Sequence, residues 1–217
     1  MSRRANRIAT KVIGRYGGRR TRFHLPDGRL LPLRGFLEIP GLLLDRFTGR
    51  NKNVPWMTPS AVHYLDGILD PTKTVLELGS GFSTAWYGKR SLKVVTFEND
   101  HTWKRLVQSR LDRYRISNVE IRCYPLDDFT REIEKLGNQT FDVVVVDCNE
   151  PRPGFRLECA LAASPLAKHG GWIVIDDFER LEYAQWHPPE LVSSDRRFVG
   201  MKPSPLMTVE TAFFYCG

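Results

Sequence analysis

The chain has 217 residues, of which 41% are hydrophobic and 26% are charged. This is enough apolar sequence for the core of one ordinary domain, and it excludes a chain that is disordered throughout. The net charge is +7, but residues 1–22 hold eight basic residues and no acid, so the rest of the chain carries about −1. A body so close to neutrality argues against an enzyme with a broad basic face for nucleic acid.

The first 54 residues divide into two segments. Residues 1–22 form a basic tail, whose charges suit the phosphate groups of nucleic acid or of anionic lipid. The tail fits either a short amphipathic helix on a membrane surface or a frayed chain, which its three glycines favour. Residues 23–54 mix proline, glycine and apolar patches, and they predict an irregular N-terminal arm or cap.

The sequence also indicates a compartment. No apolar run is long enough to span a bilayer, and the basic N-terminal region lacks the apolar stretch of a secretory signal. The four cysteines form no C-x-x-C pair, which favours free thiols in a reducing environment. We therefore expect a cytoplasmic protein, with peripheral membrane contact through residues 1–22 as an alternative.

From residue 55 onward, strand-like apolar runs alternate with helical patterns, after a helix that begins at Thr58 or Pro59. Strands are predicted at 74–78, 93–97, 119–123, 141–146 and 172–175, and helices at 84–89, 102–113, 129–136, 155–167 and 180–185. The last two strands, 197–201 and 208–215, leave no room for a crossover helix and should form an antiparallel hairpin. Residues 55–217 therefore predict a doubly wound α/β domain with a mostly parallel seven-stranded sheet and an antiparallel C-terminal strand.

A glycine turn follows the first strand, at the edge of the sheet where such folds bind ligands. Gly79, Ser80 and Gly81 allow a tight turn and close approach of a ligand to the helix start. Dinucleotide-binding enzymes use a similar turn with a third small residue, where this chain has Thr84. Glu77 would repel a pyrophosphate and suits a ligand with an ammonium group. The alternative is that Glu77 bonds to nearby loop amides.

The second strand ends in a carboxylate nineteen residues after the first glycine. Glu98 is placed to accept hydrogen bonds from the two hydroxyls of a ribose, and Asn99 to flank a base. The alternative for Glu98 is a solvated acid at a strand end.

These residues together resemble class I S-adenosylmethionine-dependent methyltransferases. The likeness rests on the segments 77–84, 97–100, 145–147, 170–177 and 211–215, and on the single residues Trp103, Arg156, Cys159, Arg180 and Tyr183. The sequence is similar above all to a bacterial subgroup whose first motif is Glu-x-Gly-x-Gly-x-Ser-Thr. The likeness covers roughly residue 55 to the C-terminus. The resemblance implies that 79–81 hold the methionyl part of the cofactor, that Ser83 and Thr84 cap the helix, and that Glu98 binds the ribose. It also implies that Leu126 lines the adenine pocket.

A second group of residues comprises Asp147 after the fourth strand and the pair Asp176 and Asp177 after the fifth. Neighbouring strands should bring the three carboxylates together near the methyl group, with Asp147 also at the cofactor. Oxygen ligands of this kind suit Mg²⁺, and metal-dependent methyltransferases acting on catechols and sugars resemble this arrangement. The alternative is that they bond the cofactor or cap nearby turns. Asp147 and Asp177 are the candidate catalytic bases.

The sequence thus predicts methyl transfer from S-adenosylmethionine to a small polar acceptor, with a sugar hydroxyl as the first candidate. One alternative is a nicotinamide-dependent oxidoreductase, which Glu77 and Thr84 disfavour. The other is a non-catalytic module that binds S-adenosylmethionine and docks through its basic tail. Nucleic acid is not the expected partner.

Overall fold

The computed structural model describes residues 20–49, 54–137, 140–203 and 205–217. Residues 1–19, which are most of the basic tail, therefore lie outside the described residues, and so do the amphipathic helix and the frayed chain predicted as alternatives there. Six α-helices are described: α1 (Leu33–Thr48), α2 (Pro59–Ile68), α3 (Phe82–Gly88), α4 (His101–Arg113), α5 (Leu126–Glu134) and α6 (Phe155–Ala163). The strands are β1 (Thr74–Leu78), β2 (Lys93–Glu98), β3 (Val119–Cys123), β4 (Phe141–Val146), β5 (Ala167–Ile175), β6 (Val192–Met201) and β7 (Thr208–Cys216).

All seven strands belong to one sheet in the order β3-β2-β1-β4-β5-β7-β6. The first five are parallel, whereas β7 runs antiparallel to both β5 and β6. The predicted doubly wound fold and its C-terminal hairpin are therefore confirmed. The strand order reverses between β1 and β4, which is where a fold of this kind opens a crevice for ligands.

The core lies on both faces of the sheet because successive side chains of a strand point to opposite sides. Along β4, Val143 packs with α2 on one face, while Val144 packs with α5 and α6 on the other. The whole of β4 except Asp142 is buried, as its unbroken apolar run predicts for a central parallel strand.

The segment preceding the domain contains a regular helix, so the prediction of an irregular arm over 23–54 is wrong for residues 33–48. Helix α1 packs its buried positions Gly35 and Leu42 on the body, where it contacts β6. A side chain at Gly35 would meet Leu31 Cδ1 at 2.4 Å, so this glycine serves packing. Pro40 lies inside the helix. Because proline lacks a backbone donor and ordinarily kinks or ends a helix, its presence argued against a helix in this stretch of sequence.

The part of this arm that precedes α1 contacts β7. His24 and Leu30 form an antiparallel bridge, and the N–H of Thr208 donates to the carbonyl of Arg22 at 2.8 Å. Arg29 also forms an ion pair with Glu210, at 2.9 Å. Within the described part of the chain, no helix has the length and apolar character needed to cross a membrane.

Candidate active site

A cavity of about 790 Å³ opens at the carboxyl ends of the parallel strands. Its walls come from the loops after β1, β2, β4 and β5, and from residues of the N-terminal arm and of the β6–β7 turn. The loop after β3 does not contribute. Leu126, predicted to line an adenine pocket, is the first residue of α5 and packs against the core beside it.

The glycine turn lies where β1 and β4 end side by side. Gly79 has φ +95°, and a Cβ there would lie 2.5 Å from Cys148 Cα and 2.6 Å from the carbonyl oxygen of Asp147. Any larger residue would therefore push the two strand ends apart. The N–H of Gly81 donates to Thr84 Oγ1 at 2.8 Å, so Thr84 caps the start of α3 as the resemblance implied.

Glu77 lies buried beneath this turn and does not line the cavity. Its carboxylate accepts hydrogen bonds from Ser83 Oγ at 2.5 Å and from Thr84 Oγ1 at 2.6 Å. Burial raises the pKa of Glu77 to about 7, although these two hydroxyls favour the charged form. The carboxylate thus holds the turn to the helix start through side-chain hydroxyls, and direct contact with a ligand's ammonium group stays a prediction.

Glu98 lines the cavity, and its carboxylate is fixed at the end of β2. It accepts a hydrogen bond from Ser80 Oγ at 2.6 Å, and its other oxygen accepts from the N–H groups of Asn99 and Asp100. Asn99 also lines the cavity, and Trp103 donates from Nε1 to the carbonyl of Ser80 at 2.7 Å. The turn and the carboxylate predicted to bind a ribose are therefore joined in one hydrogen-bonded unit.

The three aspartates converge, but they do so around basic side chains. Lys202 Nζ lies 2.6 Å from Asp176 Oδ2 and also contacts Asp177. Arg156 is buried and reaches Asp147 at 3.3 Å and Asp177 at 3.5 Å. Lys202 is not among the residues predicted from the sequence, because no periodic pattern or motif marks it in the turn after β6.

This arrangement does not fit the magnesium ion expected from the sequence. The ammonium of Lys202 and the guanidinium of Arg156 occupy the space between the carboxylates and neutralise them, as a divalent ion would otherwise do. Asp176 is buried and accepts from Thr211 Oγ1 at 2.7 Å. Among the described residues, no cluster of His, Cys, Asp and Glu side chains could hold a metal ion.

Two of the aspartates differ in their acid–base character. Burial, with the nearby charge of Asp176, raises the pKa of Asp147. Burial also disfavours the charge of Asp177, but Lys202 and Arg156 outweigh it and hold the pKa of Asp177 below its usual range. The side chain of Asp147 is 24% exposed and lines the cavity. Of the two candidate bases, Asp147 is therefore the better suited to accept a proton near neutral pH.

The N-terminal arm supplies part of the cavity wall, which sequence analysis expected only as an unspecified cap. Pro26 and Val54 of the arm line the cavity, as does Trp56 just after the arm, and the ring of Trp56 packs against Phe82 with centroids 5.9 Å apart. This wall closes the side of the cavity next to the glycine turn.

Part of the chain matches a known family. Residues 76–178 match a family model described as a methyltransferase domain, whereas no curated protein matches the chain. An O-methyltransferase from Bacillus cereus in complex with SAH shares the fold at a TM-score of 0.58 and 18% identity, over 83% of this chain and 91% of the other. The O-methyltransferase TomG from Streptomyces achromogenes in complex with SAM gives 0.52 and 19%, over 88% and 84%.

The same fold also occurs in a spermidine synthase from Thermotoga maritima, with a TM-score of 0.53 and 18% identity over 71% of this chain and 57% of the other. At these identities the structural likeness shows the fold alone. Together with the family match over residues 76–178, the shared fold supports a class I methyltransferase domain in this chain.

Proposed function

We propose that this chain, with its class I methyltransferase domain, transfers a methyl group from S-adenosylmethionine to a hydroxyl of a small polar acceptor, a sugar or a related polyhydroxyl metabolite. The observation that carries the proposal is the joining of the Gly79 turn, Glu98 and Asp147 along one cavity wall. The comparisons give no support to a nicotinamide-dependent oxidoreductase.

The cofactor half of the site comprises the glycine turn and the end of β2. Glu98 already accepts bonds from Ser80, Asn99 and Asp100, so its carboxylate is oriented before a ribose arrives. In this proposal the exposed edge of Trp103 and the side chain of Asn99 flank the base. The methionyl part lies over Gly79 and Gly81, whose lack of side chains lets a ligand approach the backbone.

The reaction needs a positioned acceptor oxygen and a group to take its proton. S-adenosylmethionine, when bound, supplies a methyl group that is already activated on a sulfonium. Asp147 accepts the proton of the acceptor hydroxyl as the oxygen forms its bond to the methyl carbon and the carbon–sulfur bond breaks. The products are the methyl ether and S-adenosylhomocysteine. Asp177 stays ionised against Lys202 and Arg156 and holds this wall in place.

The acceptor half of the cavity is lined by charged side chains of the loops after β4 and β5. Three of these side chains are acidic, Glu150, Glu179 and Glu182, and one is basic, Arg180, which contacts Glu150. Excess negative charge disfavours an anionic acceptor, and carboxylate and guanidinium groups are good partners for several hydroxyls at once. This chemistry favours a neutral polyhydroxyl acceptor over an aromatic or acidic one.

Calorimetry with S-adenosylhomocysteine tests the cofactor site. The wild type should bind it and should not bind NAD, and Glu98→Ala should weaken binding about 100-fold because two hydrogen bonds to a charged group are lost. Glu120→Ala is the matched control, because Glu120 pairs with Lys93 and Arg122 away from the cavity and should leave affinity unchanged. Binding of NAD in place of S-adenosylhomocysteine would overturn the proposal.

Transfer from methyl-labelled S-adenosylmethionine to a panel of free sugars and other neutral polyhydroxyl compounds tests the acceptor class. Asp147→Asn should lower kcat about 100-fold while S-adenosylhomocysteine still binds, because it removes the base rather than the cofactor contacts. An unchanged kcat would refute the role of Asp147. Labelling of aromatic acceptors and of no sugar would refute the proposed acceptor.

A further inference from the structure

Helix α1 presents a second apolar face, which points away from the body. Four apolar side chains recur at spacings of four, seven and three residues, which places them on one side of a helix. They are Leu33, Leu37, Leu44 and Phe47, exposed by 76%, 73%, 57% and 86% respectively. The opposite side of α1 packs on β6 through Gly35 and Leu42. A contiguous exposed apolar face of this kind marks a contact surface.

The residues that precede this helix in the sequence carry mostly positive charge. The helix follows the basic tail, with its eight basic residues and no acid over 1–22. Arg20 and Arg22, the described arginines of that tail, are both exposed. The two acids of α1 are partly buried, and Glu38 bonds to the hydroxyl of Ser60 on the side of the body.

We propose that α1 lies in the surface of an anionic lipid membrane, with Leu33, Leu37, Leu44 and Phe47 inserted among the acyl chains. The positive charge that precedes the helix in the sequence adds attraction to the anionic headgroups. An amphipathic helix gains affinity from its apolar face and from basic residues near anionic lipid. A second copy of this chain fits the face less well, since a pair of these surfaces would bring two strongly basic tails together.

Vesicle co-sedimentation of the full chain tests the proposal. We expect binding to phosphatidylcholine vesicles that contain phosphatidylglycerol, weaker binding to phosphatidylcholine alone, and a decrease with added salt. The double variant Leu37→Glu/Phe47→Glu should bind the anionic vesicles at least about tenfold more weakly, because it places two charges in the apolar layer. Both side chains are exposed, so circular dichroism should show an unchanged fold.

The double variant Leu106→Glu/Leu161→Glu is the matched control. Leu106 is 58% exposed on α4 and Leu161 is 51% exposed on α6, so the same change in charge there should leave vesicle binding as it is in the wild type. Absence of binding to anionic vesicles, or binding that survives the double substitution, would overturn the proposal. The proposal would also be overturned if the wild type failed to bind vesicles and light scattering showed a wild-type dimer that the double variant does not form.

Discussion

Lys202 offers the sharpest test of how the site is held together. Its ammonium lies 2.6 Å from Asp176 and touches Asp177, and its side chain is 11% exposed. At an effective dielectric constant near 20, the attraction between the Lys202 ammonium and the Asp176 carboxylate over this distance is about 6 kcal/mol, before the cost of desolvating the two groups is subtracted. Lys202→Met removes this partner and leaves the buried carboxylate of Asp176 without a cation. Loss of one member of a buried pair costs about 3–5 kcal/mol, which we expect in the free energy of unfolding at neutral pH.

Urea denaturation followed by tryptophan fluorescence measures this loss, with Lys168→Met as the matched control. Lys168 forms one ion pair with Asp142 at 3.1 Å, but its side chain is 39% exposed, so its loss should cost about 1 kcal/mol or less. Lys202 lowers the pKa of Asp177 below its ordinary 3.8, so its stabilising effect is present above about pH 4, and the penalty of Lys202→Met should shrink as pH falls below that value. Equal losses for the two variants, or a penalty that does not vary with pH, would refute the reasoning.

Two further predictions concern the glycine turn. Gly79→Ala should lower the free energy of unfolding by about 3 kcal/mol, since it adds a backbone clash with Cys148 to the strain of a positive φ. The control is Gly28→Ala, at φ +88° with open space around it, which should cost only about 1 kcal/mol in the same denaturation experiment. Similar costs for the two variants would contradict the clash. Because the folded pKa of Glu77 is about 7, above its ordinary 4.5, its charge destabilises the fold increasingly as pH rises from about 4.5 through 7. The free energy of unfolding of Glu77→Gln should therefore rise relative to that of the wild type by up to about 3 kcal/mol as pH increases from about 4 to about 8. If the free energies of unfolding of the two proteins varied with pH in parallel, this burial penalty would be excluded.

The sequence predicted well those features that depend on a few neighbouring residues. The alternation of apolar runs with helical patterns predicted seven strands and their directions, because the strand period and the room for a crossover are local properties. The glycine turn was predictable for the same reason: Gly79 and Gly81 directly follow β1. Glu98 could be assigned to the same edge because parallel strands end there together, and the hydrogen bond from Ser80 joins the two.

Features that depend on distant contacts required the tertiary structure. Asp176 and Asp177 suggest a metal when considered alone, and only the fold brings Lys202 from the β6–β7 turn and Arg156 from α6 between them. Helix α1 was likewise hidden, since Pro40 interrupts its pattern and its outward side chains are apolar where a surface helix is ordinarily polar. Local sequence thus determined the sheet and the glycine turn, because backbone geometry sets them. Long-range packing decided which charges neutralise the aspartates and which face of α1 stays exposed, because those depend on residues far apart in the chain.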